Sequence, residues 1–304
     1  MNTTRLSISP NGPTLSRIIA GVWKWGIWGH QLDAQQTLAL VETAIEVGIT
    51  TFDHADIYGG YTNEGDFGKA LKLKPSLRQK MELVTKCGIK LLADNRPQHK
   101  IKSYDTSREH ILWSVENSLR ELQTDYIDLL LIHRPSPLMD PDEIAEAVTQ
   151  LKDQGKIRHF GVSNFTPSQF AMLHSRTPLV TNQVEASVLH RTPFLDGTFD
   201  QAIQASCCPM IWSPLGSGKM FTDTEDEQVG RIRKVLERIG TEKGGYGIDQ
   251  MLLAWLLRHP AKLCPILGTA RPERVRAAAK ALEISLSREE WFEIWEAAAG
   301  EEVP

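Results

Sequence analysis

Two periods of apolar residues alternate along the chain. Short runs rich in β-branched and aliphatic residues, at Arg17–Val22, Thr50–Asp53, Glu82–Lys86, Ile127–His133, His159–Ser163, Val180–Glu185, Met210–Ser213 and Cys264–Leu267, predict eight strands. The stretches between them repeat at helical spacing instead. Leu38, Val41, Ala44 and Ile45 lie on one face, and Gly48 just beyond marks a helix C-terminus. Thr106–Glu109 has the spacing of a capping box and opens a predicted helix over Ile111–Leu122. Thr166–Gln169 repeats the device, with Pro167 at the first helical position. Strand–helix units in this succession predict an α/β fold, a (β/α)8 barrel of the TIM type. Three segments fall outside the repeat. Leu6–Ile8 and Thr14–Ser16 flank Pro10-Asn11-Gly12, a hairpin signal expected to cap the barrel bottom. Leu91–Asp105 reads as a long polar connection, and Ser287–Glu290 opens an extra C-terminal helix. No linker or repeat interrupts the chain, so residues 1–304 are expected to form one domain.

Candidate chemistry gathers where three of these strands end. Asp53 closes the second strand and Tyr58 follows five residues later; Lys86 and His133 close the third and fourth. In a parallel barrel the C-terminal strand ends share one rim, and that rim carries the reaction. Singly, each residue has a plain structural reading: Asp53 as a strand-end cap, Tyr58 as surface packing, His133 as a satisfied core histidine. Lys86 is less easily dismissed, because lysine is seldom buried without a partner. Together the four suit proton transfer to an oxygen. A phenol ordinarily titrates near 10, and a neighbouring ammonium is expected to lower that value. Asp53 would keep the lysine charged, and His133 would bond a bound carbonyl.

The chain is identified as resembling the aldo-keto reductases, especially a bacterial subgroup of predicted oxidoreductases. The resemblance runs from about Leu15 to Leu282 and rests on motifs in order at the ends of the second to eighth strands: TTFDHADIYGG, LVTKCG, LLLIHRP, HFGVSNF, TNQVE, WSPLGSG and PILGTARPERV. It implies carbonyl reduction with a tetrad of Asp53, Tyr58, Lys86 and His133. It also implies that Ser163, Asn164 and Gln183 hold a nicotinamide carboxamide and that Trp212 stacks on the nicotinamide ring. The loop Ser213-Pro214-Leu215-Gly216-Ser217-Gly218-Lys219 would then cover the pyrophosphate, since glycine lets backbone N–H groups approach phosphate closely. Thr269, Arg271 and Arg274 at the start of a helix opened by Pro272 would take a 2′-phosphate, which favours NADPH over NADH. The match is imperfect there. The family's common lysine is Gly268 here, and its adenine-contacting Glu-Asn pair is Ala277-Ala278. Trp23, His54 and Arg134 are the candidate substrate contacts; many family members carry tryptophan where Arg134 stands.

Composition narrows the alternatives. The chain has 304 residues, 41% hydrophobic and 24% charged, with a net charge of −4, which gives no reason to expect nucleic-acid or membrane partners. No apolar run is long enough for a spanning helix, and the N-terminal MNTTRLSISP lacks the apolar stretch of a signal peptide. The four cysteines have neither metal-ligand nor disulfide spacing, so a reducing cytoplasm is expected, with Cys207-Cys208 packed as small residues. The expected protein is a cytoplasmic monomer acting on a small carbonyl compound without a metal. The alternative is a cofactor-binding, redox-sensing subunit with slow turnover; a metal-dependent barrel hydrolase would need clustered ligands that only His54 and Asp56 approach.

Overall fold

The computed structural model describes residues 4–223 and 225–304; residues 1–3, part of the N-terminal stretch considered above, lie outside it. In chain order the strands are β1 (Arg5–Ser7), β2 (Thr14–Ser16), β3 (Ile19–Gly21), β4 (Thr51–Asp53), β5 (Glu82–Cys87), β6 (Ile89–Lys90), β7 (Ser103–Tyr104), β8 (Ile127–Ile132), β9 (Ile157–Ser163), β10 (Asn182–Glu185), β11 (Met210–Trp212) and β12 (Cys264–Leu267). The helices are α1 (Ala34–Glu46), α2 (Tyr58–Tyr61), α3 (Asn63–Leu73), α4 (Arg108–Leu122), α5 (Pro141–Asp153), α6 (Pro167–His174), α7 (Thr198–Gln204), α8 (Lys219–Thr222), α9 (Glu227–Glu242), α10 (Ile248–Leu257), α11 (Pro272–Ala279) and α12 (Arg288–Ala299).

Eight strands, β3, β4, β5, β8, β9, β10, β11 and β12, close into a parallel barrel, so the (β/α)8 expectation holds. The pleat sends alternate residues inward and outward. Ile19, Val84, Leu129, Leu131, Met210, Cys264 and Ile266 fill the barrel, while Phe52, Leu83, Leu130, Phe160 and Ile211 face the helices. β1 and β2 pair antiparallel as the expected hairpin, and Ile8 and Leu15 join the barrel-filling cluster from below. All four cysteines are buried and free. No helix among the described residues is long and apolar enough to cross a membrane.

The chain departs from the expected elements in two places. The polar connection after β5 is not structureless throughout: β6 and β7 pair antiparallel, Ile89 with Tyr104 and Lys90 with Ser103, and close its neck. The capping box at Thr106 does not form. Ser107 is the N-cap, accepting from His110 N, and Thr106 is buried instead. The boxes at Thr166 and Ser287 form as read. The extra helix α12 is held by stacked indoles, with Trp255 and Trp291 5.0 Å apart at 8° and each N–H donating to the other's carbonyl.

Candidate active site

Strand parity builds the centre of the site. Asp53 ends β4 on the inner face in register with Val84, and Lys86, two residues further along β5, points to the same side. Lys86 Nζ donates to Asp53 Oδ2 at 2.8 Å, to the His54 carbonyl at 2.6 Å and to Tyr58 Oη at 3.1 Å. The ammonium is 0% exposed and the aspartate 3%. The Tyr58 ring meets His133 edge-on, with centroids 6.0 Å apart. The structure therefore brings all four expected side chains into one cluster.

Their electrostatics differ from expectation in one respect. Burial pushes the Tyr58 phenol above its ordinary value; Lys86 works against that shift and Asp53 reinforces it. Proximity to an ammonium does not make the phenol more acidic than usual here, because desolvation and the aspartate outweigh it. Burial alone would lower the Lys86 ammonium, but Asp53 and Tyr58 reverse this and hold it charged. Burial, with Lys86 and Arg134, holds His133 well below its usual value, so the imidazole is neutral. Its Nδ1 is buried without a partner.

A polar arc continues around the rim. Asn164 Nδ2 donates to Ser163 Oγ (2.8 Å), and Trp212 Nε1 donates to Asn164 Oδ1 (3.0 Å). Asn164 adopts a left-handed φ of 61°, a strain that persists where surroundings enforce it. Ser163 Oγ is spent on the Gln183 carbonyl (2.9 Å). Gln183 Nε2 donates to Asp53 Oδ1 at 2.8 Å, so this glutamine braces the aspartate as well. Sequence reading missed that link; β10 parity could have shown that Gln183 points inward. The Ser213–Lys219 loop folds as two tight turns, with left-handed φ at Ser213, Gly216, Ser217 and Gly218. Pro214 and Gly216 are buried within it, while Leu215 packs on two core clusters. Glycine suits position 216 because its φ is 62°, a left-handed value that a Cβ would strain.

The eighth strand's loop is tied to the first by Trp25 Nε1, which donates to the Thr269 carbonyl at 3.0 Å. Gly268 is open, with nothing within 4 Å of an added Cβ. Arg271 and Arg274 are exposed at the start of α11; Arg271 N donates to Thr269 Oγ1 at 3.2 Å, but neither guanidinium is paired among the described residues, whereas Arg276 on the same helix is paired with Glu46 at 2.8 Å. Lys219 is likewise free of described partners. Unneutralised cations beside a helix N-terminus and glycine-bearing turns fit a phosphorylated dinucleotide.

The substrate candidates divide. Trp23 is 46% exposed on the rim and packs edge-on against Trp28. Arg134 lies over the Trp212 ring, 5.7 Å from its centroid. His54 is a correction. One residue past the inward Asp53 it turns outward, fully buried against Phe67 at 4.4 Å, and does not line the rim.

The profile of the aldo/keto reductase family matches residues 17–299. The oxidoreductase YdhF of Escherichia coli is 48% identical over 99% of this chain and 99% of its own. A 6-dehydroglucose reductase of Agrobacterium fabrum is 46% identical over 95% of this chain and 96% of its own. Among solved structures, the glycerol dehydrogenase AKR11B4 of Gluconobacter oxydans superimposes with a TM-score of 0.86 at 25% identity, over 99% of this chain and 97% of that one.

Proposed function

The chain belongs to the aldo/keto reductase family and is an NAD(P)H-dependent oxidoreductase; from that premise we propose that it reduces a polar aldehyde or ketone with NADPH, Tyr58 supplying the proton. The observation that carries this reading is Lys86 Nζ, seated between Asp53 Oδ2 at 2.8 Å and Tyr58 Oη at 3.1 Å.

When bound, NADPH would supply the hydride that the carbonyl carbon takes up. As negative charge grows on the carbonyl oxygen, the Tyr58 phenol gives up its proton to it. Lys86 stabilises the phenolate that remains, and Asp53 keeps the lysine charged and aimed. The neutral His133 has an N–H to bond the same oxygen. Its lack of charge matters, because an imidazolium beside Lys86 would add repulsion inside a dry site. Ser163, Asn164 and Gln183 would hold the carboxamide, and Trp212 would pack on the nicotinamide. The Ser213–Lys219 turns would take the pyrophosphate, and Thr269, Arg271 and Arg274 the 2′-phosphate.

Arg134 gives the mouth a cation, favouring hydroxyl-rich or anionic carbonyl compounds over apolar ketones. The name of the Agrobacterium relative supports a carbonyl-bearing sugar as the substrate class. The test is NADPH consumption over a panel of oxidised sugars, keto acids and alkyl ketones, repeated with NADH. Turnover highest on the polar compounds with NADPH supports the reading. Preference for long apolar ketones, or equal use of both cofactors, contradicts it, and binding without turnover would favour a redox-sensing subunit.

A further inference from the structure

The turn that carries Tyr58 closes with bonds from Gly60 N and Tyr61 N to the Ile57 carbonyl and from Thr62 N to the Tyr58 carbonyl, yet its backbone is strained. Gly59, Gly60 and Tyr61 follow it with φ of 62°, 63° and 69°, three consecutive left-handed residues. At Gly59 a Cβ would lie 2.1 Å from Asn63 Oδ1, so the first of these positions requires glycine. Tyr61 has no such excuse. A bulky side chain at positive φ is strained, and it persists only where the surroundings over-determine it.

The surroundings are the connection between β6 and β7. Tyr61 Oη accepts the Leu91 N–H at 2.7 Å. His99 Nδ1 stands 2.8 Å from the Leu91 carbonyl and 3.5 Å from the same Tyr61 hydroxyl. Arg96 lies over the Tyr61 ring, 4.6 Å from its centroid. Asn95 Nδ2 donates to the Gly60 carbonyl at 3.0 Å. Ala55, Ile57 and Ile89 form a small apolar cluster on which Tyr58, Tyr61 and Leu91 pack together. The short β6–β7 ladder fixes the ends of the loop making these contacts. The grip falls on Gly60 and Tyr61, two and three residues beyond the phenol that touches Lys86.

We propose that Tyr61 is a positioning residue for proton transfer: its hydroxyl fastens the strained turn to the loop after β6, holding the Tyr58 phenol at Lys86. The inference rests on Tyr58 being the proton donor. It gives the long connection a task in the reaction although none of its side chains belongs to the tetrad.

The experiment is a double-mutant cycle of Tyr61→Phe and Tyr58→Phe, with kcat for carbonyl reduction, NADPH affinity and thermal stability measured on each protein. Tyr61→Phe removes one oxygen. It is expected to lower kcat about ten- to a hundredfold, the scale of an ångström's misplacement of a reacting group, with NADPH affinity and melting temperature little changed. In the Tyr58→Phe background the same change should leave the residual rate unaltered, because no phenol remains to be placed. Asn95→Ala, which releases only the Gly60 carbonyl, should show a smaller loss confined to kcat, and serves if Tyr61→Phe does not fold. The proposal is overturned if Tyr61→Phe keeps wild-type kcat. It is equally overturned if Tyr61→Phe lowers the residual rate of Tyr58→Phe by the same factor as in the wild type, or if the foldable variant loses affinity and stability along with rate. Near-native turnover of Tyr58→Phe itself would instead overturn the proton-donor assignment, and the two failures are told apart by that single variant.

Discussion

The two faces of β4 and β5 bury ionisable groups only a residue or two apart, and the groups end in opposite states. Inward, Lys86 faces Asp53 at 2.8 Å, and Asp53 and Tyr58 hold the lysine charged against its burial. Outward, the turn after β4 and the first turn of α3 bury His54, Asp56 and Glu64. Burial, with the nearby Lys86 charge, lowers His54 to about 3. Burial raises Glu64 to about 7, despite hydrogen bonds from Thr85 (2.6 Å) and Ser118 (2.9 Å). Burial and the neighbouring Glu64 push Asp56 well above its usual range. Depth is similar on both faces; the difference is a counter-charge. An ion keeps its charge in a dry place when an opposite ion touches it, and otherwise neutralises. The proposed reductase chemistry uses the face where charge is kept.

Breaking the inner set at its reactive member should have the largest effect. Tyr58→Phe is expected to cost about 10²–10⁴-fold in kcat for carbonyl reduction, the worth of a positioned acid, while a fluorescence titration shows NADPH affinity retained. Asp53→Asn removes the counter-charge and leaves Lys86 buried as a lone ammonium, so urea unfolding should show a loss of about 3–5 kcal/mol.

The outer face should answer in the opposite sense. The folded value of Glu64, about 7, lies above its ordinary 4.5. The folded chain therefore holds an extra proton between those values, so the contribution of Glu64 to stability is greatest below 4.5 and falls as pH rises to 7. That fall is about 3 kcal/mol for a shift of this size. Glu64→Gln carries no charge to desolvate, and stability measured at pH 5 and pH 8 should differ less than in the wild type. An unchanged difference would place the charge penalty elsewhere.

The smallest of these effects concerns the exposed end of the cofactor site. Arg274→Ala should weaken NADPH binding about ten- to a hundredfold, the value of a charged hydrogen bond to phosphate, and leave NADH binding near wild type. Equal losses for both cofactors would mean that Arg274 does not read the 2′-phosphate.

The barrel and the gathering of Asp53, Tyr58, Lys86 and His133 at one rim were both legible in the chain, for a common reason. Strand-like runs at Thr50–Asp53, Glu82–Lys86 and Ile127–His133 each end in a proton-active side chain, and a parallel barrel admits only one place for those ends. Side-chain direction was harder to read. His54 adjoins Asp53 and looked available, yet the pleat turns it to the helix layer and Phe67. The sign of the Tyr58 shift was also hidden, because it depends on how much burial opposes Lys86, and burial is a property of the assembled fold. Nor did the sequence show the bracing of Asp53 by Gln183, 130 residues away, or the fastening of Tyr61 by Leu91. Such contacts depend on how strands and loops meet, which the sequence pattern does not encode locally.

The pH dependence of kcat/KM for carbonyl reduction tests the central claim most directly. Tyr58 must be protonated to act, so the rate should hold below its pKa and fall as pH rises through it. With burial setting that value above the usual 10, and His133 held neutral by burial and the flanking cations, the profile should be level from about pH 7 to 9. Its decline should begin only in strongly alkaline solution, and Tyr58→Phe should erase it. A decline centred in the neutral range that persists in Tyr58→Phe would contradict the account, because the acid that limits the reaction would then be another group.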